Sequence, residues 1–125
     1  MTTYHFRVLL SSWGIAIDLD GVIHGSNLPN ALPVDHGISF LNSTTLNPVA
    51  VNAGIIDGIK LMRGQIREKH PVTTVEVTKL EFNPLDFQFD GLQYAVAEWI
   101  AEELGGQKPD YVVNYDPLKR KYIFQ

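Results

Sequence analysis

Between Pro71 and Leu104 the sequence changes its period, and this change constrains the fold most. Val72 to Phe82 is rich in Val and Thr and alternates as a strand does. Val75 and Val77 share one parity, whereas Leu80 and Phe82 share the other. One extra residue near Thr78-Lys79 would restore a common face, so a β-bulge is expected there. Asn83-Pro84 ends the strand, and Leu85 to Asp90 forms a turn carrying Phe87 and Phe89. A helix follows, with Asp90 as its expected cap and Leu92, Val96, Trp99 and Ile100 on its apolar face. Glu98, Glu102 and Glu103 are assigned to the water side, and Gly105-Gly106 to the stop. A strand and a one-faced helix in succession demand a layered α/β packing.

The remaining segments supply the other elements. Tyr4, Phe6, Val8 and Leu10 alternate with His5 and Arg7, a half-buried strand. Ile15, Ile17 and Leu19 form a second, and Asp20-Gly21 reads as a tight turn returning into Val22-Ile23. Gly25 to Gly37, broken by Pro29 and Pro33, reads as a loop, and Gly37 to Leu41 as a strand. Asn47 as cap and Pro48 at the first position open a helix whose face is Ile55, Ile59, Met62 and Ile66. Gly54, Gly58 and Gly64 weaken it, and their spacing suits close packing on a sheet. His70-Pro71 ends it. Asp110 to Tyr115 and Lys121 to Phe124 form a terminal hairpin, expected to pair onto the main sheet.

The expected fold is a single α+β domain over residues 1–125. It is a two-layer sandwich, a mixed β-sheet with two helices on one face. Composition narrows the function classes. The chain has no cysteine, which removes thiolate metal sites, disulfides and cysteine nucleophiles. It also fits a reducing, cytoplasmic setting. Neither a secretory leader nor an apolar run long enough for a membrane span is apparent. A net charge of -4 opposes broad, non-specific nucleic-acid binding but allows a local basic patch.

The loudest short motif, Ile17-Asp18-Leu19-Asp20-Gly21-Val22, looks like the first signature of haloacid dehalogenase-type phosphatases. That resemblance implies a nucleophile at Asp18, an acid/base at Asp20 and a Mg²⁺ beside them. The chemistry needs both carboxylates beyond a strand end and a further acidic pair for the metal. No such pair follows, so a hairpin with an Asp-Gly turn is the preferred reading. His5, His24, His36 and His70 lack ligand spacing, and no metal or cofactor is expected. Lys60, Arg63 and Arg67 share a helical stripe, either a solvated flank or a small phosphate-facing patch.

A wider resemblance covers Gly37 to Leu104, and more loosely the chain from Gly14. A strand leads to a long helix, then comes Pro71-Val72-Thr73-Thr74-Val75-Glu76-Val77-Thr78, the turn Asn83-Pro84-Leu85-Asp86, and a helix carrying Ala95 and Ala97. This order resembles domain IV of elongation factor G and its ribosomal-protection relatives, with residues 14–104 as the core and a hairpin at 110–124. The resemblance implies the ribosomal protein S5 domain 2-like fold, with a left-handed βαβ crossover. It also implies tip loops at Asn42 to Pro48 and Asn83 to Asp86 that work near tRNA and mRNA. Asn83 stands where the family usually has His, and Phe87-Gln88 where it has serines.

The expectation is therefore a non-enzymatic binding module that contacts ribosome or RNA. Asn83, Pro84, Asp86 and Phe87 are the candidate contacts, flanked by Lys60, Arg63 and Arg67. The alternative is a protein-interaction module of inhibitor or immunity type, whose negative charge suits a basic partner. Phosphatase chemistry at Asp18 and Asp20 is the third reading.

Overall fold

A computed structural model describes residues 3–46 and 49–125, so the expected cap Asn47 and Pro48 lie outside the described residues. Strands β1 (Tyr4–Leu9), β2 (Gly14–His24), β3 (Leu32–Asp35) and β4 (Ile38–Asn42) come first. Helices α1 (Val49–Leu61) and α2 (Arg63–Lys69), strand β5 (Thr73–Phe82), helix α3 (Phe89–Leu104), and strands β6 (Val113–Asp116) and β7 (Lys121–Phe124) follow. Five strands form one mixed sheet in the order β1-β2-β5-β4-β3. Only β4 and β5 are parallel, and α1 and α2 carry the chain between them. The architecture is α+β, compatible with a two-layer α/β sandwich.

Alternation decides which face of the sheet is dry. Phe6, Ile15, Ile17, Leu19, Ile38, Phe40, Val75, Val77 and Leu80 are buried, together with Ile55, Ile59, Met62 and Ile66 and with Leu92, Val96, Trp99 and Ile100 from the helices. The expected bulge is present. Asp20 pairs with Lys79 and Gly21 with Val77, leaving Thr78 as the extra residue of β5. Without it Leu80 would turn to the polar face and forfeit about 1.5–3 kcal/mol of burial. That exceeds the roughly 1 kcal/mol of a disturbed ladder bond.

Five expectations are corrected. Asp20-Gly21 is no turn: β2 runs straight through it, pairing with β5 as far as His24. Gly21 is required for a different reason, because a Cβ there would sit 2.6 Å from the Trp99 ring. The proline-broken segment 25–37 contains β3, where Pro33 is tolerated because β3 is an edge strand. The glycines Gly54 and Gly58 admit α3 and not the sheet: added Cβ atoms would meet Leu92 and Val96. The helix from Val49 breaks at Met62, whose amide turns to the carbonyl of Ile59 before α2 begins. Last, the C-terminal hairpin does not join the main sheet; β6 and β7 pair only with each other.

Two smaller differences concern α3. Its N-cap is Gln88, without a side-chain capping bond, and Asp90 lies in the first turn, where its charge still favours the helix dipole. Glu98 is not simply in water but half-buried, accepting hydrogen bonds from the hydroxyls of Tyr4 (2.7 Å) and Tyr111 (2.6 Å). The stop is as expected. Gly105 adopts φ 64°, and the amide of Gly106 returns to the carbonyl of Ala101.

Candidate functional site

Strand register gathers three turns at one end of the molecule. Ile17 lies opposite Phe82, so the β1–β2 connection with Trp13 borders the end of β5. Beyond Phe82 comes the turn Asn83-Pro84-Leu85-Asp86. The Asn83 side chain accepts the amide of Leu85 (3.0 Å), and its carbonyl accepts the amide of Asp86 (3.1 Å). Phe87 then stacks on Phe82 with ring centroids 3.9 Å apart and sets its edge toward Phe89. The third turn is the tip of β6–β7, where the Asp116 carboxylate accepts the amide of Leu118 (3.0 Å) and Arg120 takes φ 53°.

Gln88 fixes the distance between the second and third turns. Its side-chain amide donates to the carbonyl of Tyr122 (2.9 Å) and accepts the amide of the same residue. Tyr122 itself is fully buried. Its hydroxyl donates to the carbonyl of Trp13 (2.6 Å) and accepts the amide of Leu10 (2.9 Å). The Trp13 indole N–H donates to the Tyr115 hydroxyl (3.0 Å). The result is an open cleft of about 500 Å³, walled by Trp13, Asp86, Phe87, Gln88, Arg120 and Lys121, with Leu85 on its rim. Leu85 is 90% and Leu118 95% exposed.

Of the expected site residues, Asp86 and Phe87 enter this cleft, and Asn83 and Pro84 form the turn that carries them. The basic stripe is not part of it. Arg67 is ion-paired with Asp35 (3.0 Å) and donates to the carbonyl of His36 (3.1 Å). Arg63 approaches Asp35 at 3.7 Å. Both arginines thus pin the β3–β4 hairpin to α2. The bond from the His36 amide, then those from Arg67, hold the Asp35 carboxyl below its ordinary range. Lys60 has no ion pair among the described residues.

Trp13, Gln88, Arg120 and Lys121 were missed by the sequence reading. One signal was available, since Lys119-Arg120-Lys121 is a run of three cations at a hairpin tip. Their side chains have no ion pair among the described residues.

Two polar constellations occupy the open face of the sheet. Asp18 lies in the middle of β2, bonded to His5 (2.7 Å) and Arg7 (2.7 Å). Desolvation pushes its carboxyl up, but the bonds from His5 and Arg7 outweigh this and hold it below the usual range. Asp20 accepts the Thr3 hydroxyl at 3.1 Å. Both carboxylates therefore sit within a strand, not beyond its end as phosphatase chemistry requires. Glu76 binds Ser43 (2.7 Å) and His24 (2.8 Å), which together lower its carboxyl. Here the carboxylate separates serine from histidine, so the Ser43 hydroxyl meets Glu76 and not the imidazole that a nucleophilic triad places there. Among the described residues no group of three or more His, Asp and Glu side chains is placed to hold a metal ion.

No family model, no curated protein and no solved structure matches the chain. Among the described residues no helix is long and apolar enough to cross a membrane.

Proposed function

We propose that this chain is a non-enzymatic binding module that contacts RNA, in the ribosome or free of it, through the end bearing the cleft. One observation carries the reading: the cleft joins the expected turn residues Asp86 and Phe87 to a second aromatic wall, Trp13, and to Arg120 and Lys121, cations without an ion pair among the described residues. Aromatic faces beside free cations are the recurring chemistry of single-strand recognition. The parallel β4–β5 pair with its helical crossover, flanked by antiparallel β2, supports the ribosomal protein S5 domain 2-like assignment. Such a module would work in the cytoplasm, without cofactor.

The phosphate contacts are assigned to Lys119, Arg120 and Lys121, since Arg63 and Arg67 are engaged by Asp35. The test is co-sedimentation with ribosomes across a salt series. Replacing the three cations with Ala should weaken binding and flatten the log-log salt slope by about 2, at roughly 0.7 per single-strand phosphate contact. Absence of binding at low salt both to ribosomes and to free single-stranded RNA overturns the reading.

A second reading has its own support. Leu85 and Leu118 are almost wholly exposed and Phe89 half so, an apolar rim that suits a protein partner. With a net charge of -4 that partner would be basic. A single stoichiometric protein recovered without RNA in a pull-down favours it.

A further inference from the structure

The cleft is more specific than an electrostatic surface, and it rests on the RNA-contacting reading given above. We infer that it takes one unstacked guanine base of a single strand, read by Asp86. The volume, about 500 Å³, suits one nucleotide. Its walls are set in advance. Phe87 is backed by Phe82 at 3.9 Å, and Trp13 is held by Tyr115 and packs edge-on against Tyr122 at 4.9 Å. Rings fixed in this way stack on a base without losing further freedom.

Hydrogen bonding selects the base. The Gln88 amide is engaged on both sides by Tyr122, so it is not the reader. Asp86 has no side-chain partner among the described residues, and neither Arg120 nor Lys121 pairs with it although all three line one cleft. Opposite charges held apart across a cleft leave room for a group that satisfies both. A carboxylate only accepts, and it accepts best in pairs. Guanine alone among the RNA bases offers two adjacent donors, N1–H and N2–H, on its Watson–Crick edge. The flanking phosphates then fall to Arg120, Lys121 and Lys119. Arg120 is held at φ 53°, a conformation that side-chain-bearing residues rarely adopt and that clusters at working sites.

Free guanine nucleotide and strand-borne guanine share this chemistry. The breadth of the cleft decides for the strand. A free ligand is held by burying most of its surface, which so open a cleft does not do, whereas a strand adds neighbouring phosphate contacts.

The test uses the full chain with U9, U4GU4, the same oligonucleotide with inosine for guanine, and GMP. Trp99 is buried, so quenching of tryptophan emission reports on Trp13. U4GU4 should bind about tenfold tighter than U9, the discrimination expected of a bidentate contact. Inosine, lacking the 2-amino group, should lose most of that gain. Asp86→Asn and Asp86→Ala should abolish the preference for U4GU4 over U9, leaving the two affinities equal within each variant. Equal affinity for U9 and U4GU4, or a preference that survives in both Asp86 variants, overturns the inference. In that case U9 binding that still depends on Lys119 to Lys121 leaves the RNA-contacting reading standing. GMP binding as tightly as U4GU4 overturns the strand assignment. Failure of both U9 and ribosomes to bind sinks the general reading as well.

Discussion

Gln88 serves Tyr122 as a neighbouring strand would. Its amide oxygen takes the Tyr122 N–H and its amide nitrogen donates to the Tyr122 carbonyl. In the β6–β7 ladder the amide and carbonyl of Gln125 bond Val112, so alternate pairs bond inward. The intervening Tyr115–Tyr122 pair directs its backbone groups outward, where Gln88 meets them. One side chain thereby satisfies an edge that otherwise needs a strand. Gln88→Ala should lower unfolding stability by about 2 kcal/mol, since two partly buried backbone groups lose their partners. Urea titration measures the loss, and faster hydrogen exchange at the Tyr122 amide locates it.

Gly21 and Gly64 offer a paired test of where glycine is required. Any side chain at Gly21 enters the Trp99 ring and the Glu76 carbonyl, whereas Gly64 on α2 has open space. Gly21→Ala should destabilise by about 1–3 kcal/mol or more through overpacking. Gly64→Ala should stabilise by roughly 0.5–1 kcal/mol through helix propensity. A near-neutral Gly21→Ala would remove the close-approach assignment against Trp99.

The two tyrosines on Glu98 predict an alkaline transition. Burial first, then the bond to Glu98 and its charge, raise the Tyr4 and Tyr111 hydroxyls well above 10.0. A raised folded pKa favours the protonated form, so this contribution is intact below pH 10 and declines as pH rises through the folded values. Stability measured from pH 8 to 11.5 should fall above about pH 10. The double variant Tyr4→Phe, Tyr111→Phe should flatten that limb. An unchanged limb in the double variant removes the assignment.

Asp35 predicts the reverse behaviour of the basic stripe. Asp35→Ala releases Arg63 and Arg67 from their ion pairs. If the stripe lies against phosphate in a complex, the variant binds ribosomes more tightly and with a steeper salt slope. If the cleft end alone makes contact, affinity changes little, and co-sedimentation distinguishes the two.

Legibility followed the range of the interaction. The bulge at Thr78 was readable because Val75, Val77, Leu80 and Phe82 record the parity change themselves. The faces of α3 and of the α1–α2 helix were readable for the same reason. Asp20-Gly21 misled because the need for glycine comes from Trp99, nearly eighty residues later. Gly54 and Gly58 signalled close approach but not to what, since their neighbours are on α3. β3 stayed hidden behind Pro33, which only an edge position tolerates. For the site, the turn bearing Asp86 and Phe87 was visible, but its facing wall was not. That wall depends on the Gln88–Tyr122 contact, which no local pattern announces.

The bond from the Leu10 amide to the Tyr122 hydroxyl spans 112 residues, and that from Tyr122 to Trp13 spans 109. During synthesis the β1–β2 connection therefore emerges long before its partner. At cellular elongation rates the gap is roughly 6 to 22 s. Through that interval Trp13 and the aromatic side of α3 are uncovered, with Tyr94 awaiting Tyr111 and Phe124. Translation stalled short of Lys121 leaves a nascent chain whose main sheet can assemble but whose aromatic end stays wet, a substrate for chaperones until the last turn arrives.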